Sequence, residues 1–189
     1  MNPNPLLITG FMPFGGEDRN PSWEAVNALP DRIGAWTLHK LLLPVEYGRA
    51  AALASEKALD CHADAIVCVG LAAGRTAVTP EVIGVNVRDA SMPDNAGYRA
   101  EGEPISADGP AAYFSTLPVR TMTKAIADAG VPAALSYTAG AYVCNDLLYT
   151  LLDRFSGTQT RVAFVHIPLE KTLPLSDSIR ALTAAIEAI

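Results

Sequence analysis

The stretch Ala65-Ile66-Val67-Cys68-Val69-Gly70-Leu71 decides the fold. It is apolar throughout, whereas a half-exposed strand alternates apolar with polar side chains. Continuous apolar runs of this length are typical of strands in a parallel sheet whose two faces are both covered. The stretch therefore predicts a buried central strand of an α/β domain.

Short apolar runs alternate with helix-like segments on both sides of this strand, which indicates a layered α/β arrangement. The predicted strands cover residues 6–9, 36–43, 65–71, 82–87, 133–139 and 161–167. The predicted helices cover about residues 21–29, 46–61, 119–129, 142–155 and 176–189. The remaining long segment, residues 88–117, is rich in Gly, Pro, Asp and Asn, a composition and length typical of functional or poorly ordered loops.

The composition suits one compact domain over residues 1–189, because 50% of the residues are hydrophobic and 18% are charged. A net charge of −6 without any Lys/Arg run argues against nucleic-acid binding and against a polybasic membrane surface. The chain has no apolar run long enough to cross a bilayer and no basic, cleavable leader. Its three cysteines lack Cys-x-x-Cys spacing, which favours reduced thiols. We therefore expect a cytoplasmic protein.

Four unusual sequences follow predicted strands: residues 9–16, residues 70–75 with Glu81 shortly after, residues 138–145, and His166-Ile167-Pro168. Ligands of open α/β sheets bind outside the carboxyl ends of the strands. If the sheet is parallel, all four sequences meet at one edge. That edge is the predicted functional site.

Cys144 lies in the first turn of the predicted helix 142–155. A thiol there is close to free backbone N–H groups and to the positive end of the helix dipole, which favour a thiolate and can stabilise an oxyanion. The same position equally suits a small buried hydrophobic residue. Cys68, in the middle of the apolar strand, is expected to be inert core, and Cys61 closes a helix, where the dipole disfavours a thiolate.

A cysteine nucleophile needs a base, normally histidine. His166 follows Cys144 by 22 residues, about one helix and one strand, so adjacent parallel strands would bring the two together. His39 falls within an alternating strand, and His62 lies at the opposite end of the sheet. Glu81 is the candidate acid that orients the imidazole, with Asp89, Asp94 and Asp146 as rivals. On the sequence alone, His166 could also be a strand-end residue and Glu81 a surface acid, neither with a catalytic role.

The first loop has the Gly10-x-x-x-x-Gly15 spacing of a phosphate-binding loop, but Gly16 and Glu17 follow where Lys and Ser/Thr are required. We therefore reject a phosphate site. Phe11 and Phe14 form either an apolar wall beside the site or part of the core. The scattered histidines form no metal-ligand set, so no metal is expected.

Taken together, five blocks resemble pyroglutamyl peptidase I (pyrrolidone-carboxylate peptidase), in the order of that family and over most of the chain. They are Thr9-Gly10-Phe11-x-Pro13-Phe14-Gly15-Gly16 with Asn20-Pro21-Ser22; Gly70 to Arg75 with Pro80-Glu81; Pro93-Asp94-Asn95-x-Gly97; Ser136-Tyr137-Thr138-Ala139-Gly140-x-Tyr142-Val143-Cys144-Asn145; and Phe164-Val165-His166-Ile167-Pro168.

The resemblance implies a three-layer α/β/α sandwich around a mostly parallel twisted sheet, and a cysteine peptidase that removes N-terminal pyroglutamate from peptides. It implies a homotetramer without metal or organic cofactor. The nucleophile, base and orienting acid map onto Cys144, His166 and Glu81. The implied substrate-binding residues are Phe11, Phe14, Leu71, Tyr142 and Val143, with Leu71 acting through its backbone.

Three features depart from the family pattern. Leu71 stands where many bacterial members carry Gln, Ser91 replaces a common Arg, and the segment after Pro168 is short. Two other functions remain open on the sequence. One is a catalytically silent homologue that binds a lactam or peptide, and the other is an acyl hydrolase acting on a different small amide.

Overall fold

The computed structural model describes residues 4–189. Its strands are β1 (Asn4–Phe11), β2 (Arg32–Ile33), β3 (Trp36–Leu43), β4 (Ala65–Leu71), β5 (Thr79–Pro80), β6 (Ile83–Val85), β7 (Arg88–Asp89), β8 (Glu101–Glu103), β9 (Ala112–Phe114) and β10 (Arg161–Ile167). Its helices are α1 (Pro21–Ala28), α2 (Arg49–Asp60), α3 (Val119–Asp128), α4 (Val143–Arg154) and α5 (Leu175–Glu187).

The central sheet has six strands in the order β2-β3-β1-β4-β10-β5. The four long strands β3, β1, β4 and β10 run parallel, while the short strands β2 and β5 pair antiparallel at the two edges. The apolar stretch read from the sequence is β4, which lies between β1 and β10 and is buried up to Gly70. The prediction of a mostly parallel sheet is confirmed.

Alternate residues of β4 enter two separate cores, one on each face of the sheet. Val67 and Val69 pack in the core that includes residues of α1, α3 and α5. Ile66 and Cys68 pack in the core that includes residues of α2 and α4. Helices therefore cover both faces, and the predicted α/β/α sandwich in a single domain is confirmed.

Two predicted strands need correction, since one is absent and the other is shorter than predicted and lies outside the central sheet. Residues 133–139 form only isolated bridges, Val78 with Ala133 and Glu81 with Ser136, beside the edge strand β5. Pro80 in β5 has no N–H group to donate, so the sheet does not extend regularly past this edge. Within residues 82–87, only β6 forms, and it pairs antiparallel with β9 outside the central sheet.

The long segment 88–117 contains the short strands β7, β8 and β9, and buried polar side chains of α4 hold its beginning. The Asn145 side chain accepts a hydrogen bond from the Val85 N–H at 2.9 Å and donates to the carbonyls of Val85 and Val87. Asp146 Oδ1 accepts from Arg88 Nε at 2.6 Å. The start of the segment is therefore attached to the first turn of α4.

Candidate active site

Cys144 is the second residue of α4, and its surroundings follow from how that helix begins. Tyr142 precedes the helix with extended backbone, and no side chain caps the first turn. The N–H groups of Asn145 and Asp146 donate to the Tyr142 carbonyl. The N–H groups of Val143 and Cys144 lie outside the backbone ladder of the helix, so they are available to an anion at this point.

The Cys144 sulfur lies over Gly70 of β4. A Cβ atom at Gly70 would stand 3.0 Å from Cys144 Sγ. Gly70 pairs in register with His166 of β10, and the Phe164 ring, 4.7 Å from the His166 ring between centroids, lies against the same point. The sheet thus places Cys144 and His166 on one face, although no hydrogen bond joins them among the described residues. Such contacts often tighten only when substrate is bound.

His166 is held by Glu81. The Nδ1 atom of the imidazole and Oε1 of the carboxylate are 2.7 Å apart, and both side chains are buried. Because an ionised carboxylate only accepts hydrogen bonds, Nδ1 carries the proton and Nε2 is left as the acceptor. This is the tautomer that a general base requires.

Burial sets the charge state of the pair. It raises the pKa of the Cys144 thiol to about 12, and the negative charge of Glu81 acts in the same direction. Burial also lowers the pKa of His166, against the opposing hydrogen bond to Glu81. The resting pair is therefore a neutral thiol and a neutral imidazole. The sequence favoured a thiolate at this helix start, whereas the burial of Cys144 acts in the opposite direction and raises the pKa of its thiol.

The five residues predicted to bind substrate meet at one pocket beside Cys144, with a cavity volume of about 40 Å³. The residues lining this pocket are Phe11, Phe14, Asn20, Val45, Leu71, Tyr142, Val143 and Cys144. Phe11 is also part of the core, so it both lines the pocket and packs inside the protein. The walls are almost entirely apolar, and the rings of Phe14 and Tyr142 lie 6.3 Å apart.

Hydrogen bonds join the loops around this pocket. The Tyr142 hydroxyl donates to the Pro93 carbonyl at 3.0 Å, and the Asn95 side chain donates to the Pro13 carbonyl at 2.9 Å. Asp94 accepts hydrogen bonds from backbone N–H groups, including that of Tyr47. These interactions explain the Pro93-Asp94-Asn95 block, whose physical role was missed from the sequence.

Among the described residues, Glu81 and not a rival acid hydrogen-bonds to the His166 ring, and the other rival residues have different surroundings. His39 is on β3, and His62 sits in a turn after α2 with a φ of 51°. Cys68 is fully buried, which raises the pKa of its thiol to about 12. Asp146 binds Arg88 and the Gly48 N–H instead of a histidine. Across residues 4–189, no cluster of three or more potential ligands could hold a metal ion, and no helix is long and apolar enough to span a membrane.

Gly70→Ala is expected to lower catalytic activity by about 100-fold, as small displacements of reacting groups do. The added Cβ would lie 2.7 Å from Phe164 Cζ and 3.0 Å from Cys144 Sγ, so the sulfur or the ring must move. Gly74→Ala is the control, because a Cβ at Gly74 meets no atom within 4 Å. Turnover and thermal melting of both variants test this, and equal turnover in a folded Gly70→Ala variant contradicts it.

The comparisons with known proteins agree with each other. The family model described as pyroglutamyl peptidase matches residues 4–189. The chain is 43% identical to the pyrrolidone-carboxylate peptidase of Thermococcus onnurineus over 187 residues, which is 97% of this chain and 94% of that protein. It is also 43% identical to the pyrrolidone-carboxylate peptidase of Levilactobacillus brevis, covering 97% of this chain and 96% of that protein.

The solved structures give the same result for the fold. Pyroglutamyl peptidase I from Bacillus amyloliquefaciens superposes with a TM-score of 0.92 at 40% identity, covering 98% of this chain and 96% of that one. Pyrrolidone carboxyl peptidase from Thermococcus litoralis gives 0.91 at 32% identity, covering 98% of this chain and 92% of that one. The chain belongs to the pyroglutamyl peptidase family.

Proposed function

We propose that this chain is a cysteine peptidase that hydrolyses the amide bond after an N-terminal pyroglutamyl residue of peptides. The proposal rests on one arrangement of side chains. Glu81 hydrogen-bonds to His166, and Cys144 lies on the same face of the sheet, at the edge of an apolar pocket. Family membership supports the substrate class.

The first chemical step is acylation. His166 Nε2 removes the thiol proton as Cys144 Sγ attacks the carbonyl carbon, and the N–H groups of Val143 and Cys144 stabilise the oxyanion. When the tetrahedral intermediate collapses, the carbon–nitrogen bond breaks and the imidazolium gives its proton to the leaving amine. The product of this step is a thioester on Cys144, and Glu81 stabilises the transient positive charge of the imidazolium.

Deacylation reverses the roles. His166 takes a proton from water as the water oxygen attacks the thioester carbon, and the carbon–sulfur bond then breaks. The proton returns to sulfur, so pyroglutamate is released and the neutral thiol is regenerated. No other reactant is needed.

Selection of pyroglutamate follows from the pocket walls. The lactam ring is small and neutral, whereas an ordinary N-terminus carries an α-ammonium that is costly to bury among Phe11, Phe14 and Val143. The lactam has one hydrogen-bond donor and one acceptor. The backbone of Leu71 at the pocket wall is our candidate partner for both.

The activity assay measures release of a fluorogenic amine from its pyroglutamyl amide, with prolyl and glutaminyl amides as controls. We expect turnover of the pyroglutamyl compound alone. Comparable turnover of the controls would point to an acyl hydrolase of other amides. A folded, reduced protein with no turnover would point to a silent binding homologue.

The acid limb of the kcat/KM profile is expected to have its midpoint below pH 6.5. His166 acts as a neutral base, and burial lowers its pKa from the ordinary value of 6.5, so activity is lost only as pH falls through that lowered value. Initial rates across the acidic range test this. A midpoint above pH 6.5 contradicts a buried neutral imidazole.

We further propose a homotetramer that acts in the cytoplasm, where its three free thiols would stay reduced. Self-association is supported by Phe114 of the 88–117 segment, a large apolar residue that is 68% exposed. Light scattering is expected to give about four times 19.9 kDa, and Phe114→Lys is expected to shift the mass downward. A 19.9 kDa species alone at micromolar concentration contradicts the assembly.

A further inference from the structure

Arg75 connects two parts of the site that are separate in sequence. Its Nη1 atom donates to Glu81 Oε1 at 2.6 Å and also contacts the Thr79 hydroxyl. Its Nη2 atom donates to the Thr138 carbonyl at 2.8 Å. Thr138 belongs to the segment that leads into α4, so the guanidinium joins the orienting acid to the chain that delivers Cys144.

The hydrogen bonding of Glu81 makes this connection unusual. Oε1 accepts from both His166 and Arg75, whereas the buried Oε2 has no partner among the described residues. Arginine–carboxylate ion pairs are frequently bidentate, with two arginine nitrogens on the two carboxylate oxygens. Here the second nitrogen is used for the Thr138 carbonyl instead.

We propose that Arg75 is a positioning residue that locks Glu81 against the segment before Cys144 and keeps His166 a neutral base. The proposal rests on the proposed function, because it assigns Arg75 a part in that same reaction. Arg75 itself touches neither Cys144 nor His166 by a hydrogen bond, so it acts through Glu81 and Thr138.

The charges around the imidazole support the second half of this role. Glu81 faces His166 from the segment after β5, Arg75 faces it from the loop after β4, and the neutral Cys144 packs from α4. The positive charge of Arg75 opposes protonation of His166 and so lowers its pKa, against the effect of Glu81. It also acts to lower the pKa of Cys144. Removing Arg75 therefore makes the Glu81–His166 pair bind its proton at higher pH.

Two substitutions separate charge from geometry. Arg75→Met removes both, and we expect kcat to fall about 10- to 100-fold and the acid limb to move up by about one pH unit. Arg75→Lys keeps the charge, but a single ammonium cannot reproduce the guanidinium fork, so the acid limb is expected near its wild-type position while kcat stays reduced. Arg180→Met is the control, with unchanged kcat and acid limb, because the Arg180 side chain on α5 binds Ala129 and Asp177, away from the site.

Each part of the proposal has a contrary result. Wild-type kcat and an unmoved acid limb in folded Arg75→Met overturn it entirely. Full recovery of kcat in Arg75→Lys overturns the geometric part, because charge alone would then be sufficient.

A second readout does not depend on turnover. The NMR titration of His166, one of three histidines and identified with His166→Gln, follows the imidazole directly in folded protein. Its midpoint is expected to rise in Arg75→Met even if the pyroglutamyl amide is not a substrate. An unmoved midpoint in Arg75→Met overturns the part of the proposal that concerns the charge of His166, whereas a raised midpoint beside an inactive wild type overturns only the proposed function.

Discussion

The Cys144→Ser variant is expected to fold as the wild type does and to lose at least about 1,000-fold of its turnover on a pyroglutamyl amide. The exchange replaces sulfur by a smaller oxygen at an unchanged position over Gly70. A hydroxyl is a far weaker nucleophile than a thiol, and His166 is placed to deprotonate a thiol whose pKa is already raised to about 12 by burial. The loss should therefore appear in kcat.

Cys61→Ser is the matched control for this experiment. Cys61 is the residue after α2 and has a partly buried thiol away from the pocket. Its replacement is expected to leave turnover unchanged. A folded Cys144→Ser variant that retains activity would show that the nucleophile lies elsewhere.

Glu81→Gln is expected to lower kcat about 100- to 10,000-fold with little change in fold, since the amide has the same shape as the carboxylate. The substitution removes the negative charge that stabilises the imidazolium in the transition state. It also allows an amide N–H to face Nδ1, which would reverse the tautomer that leaves Nε2 as a base.

Asp89→Asn controls for the loss of one acidic charge near the site. Asp89 is exposed, and its backbone contacts, the pairing of β7 with β8 and the hydrogen bond from its N–H to the Ala141 carbonyl, survive the exchange. We expect its kcat to equal that of the wild type. Equal losses in both variants, measured on the same pyroglutamyl amide, would indicate a general charge effect and not an orienting role for Glu81.

The sequence was sufficient for the centre of the sheet, because a strand such as β4 that is buried on both faces leaves a continuous apolar pattern. It was insufficient at the edge. Residues 133–139 have a strand-like composition, but whether they form a strand depends on the neighbouring segment. That segment is β5, where Pro80 has no N–H group to donate to them. Local pattern contains no information about the partner.

The same division holds for the candidate site. The positions of Cys144 and His166 at predicted helix and strand ends suggested this pair, and the family resemblance selected Glu81 from four candidate acids. In the structure Glu81 hydrogen-bonds to His166, and His166 pairs with Gly70, over which the Cys144 sulfur lies. The burial that raises the pKa of Cys144 could not be predicted, because the helix start is visible in sequence whereas the depth of burial is a tertiary property. Arg75 was also left without a role, since an arginine in a glycine-rich loop gives no sequence signal of a buried partner.

The anchoring of residues 85–88 on Asn145 and Asp146 has a consequence for protein engineering. Asn145 and Asp146, which follow the candidate nucleophile, use their side chains to hydrogen-bond residues 85–88. In a chimaera that takes the 88–117 segment from a relative without Arg at position 88 but keeps the native α4, Asp146 would lose the partner of Oδ1 and one oxygen of a buried carboxylate would be left unsatisfied. Arg88 and Asp146 should therefore be exchanged together, and a crossover point between the 88–117 segment and α4 is disfavoured even where the backbones superpose.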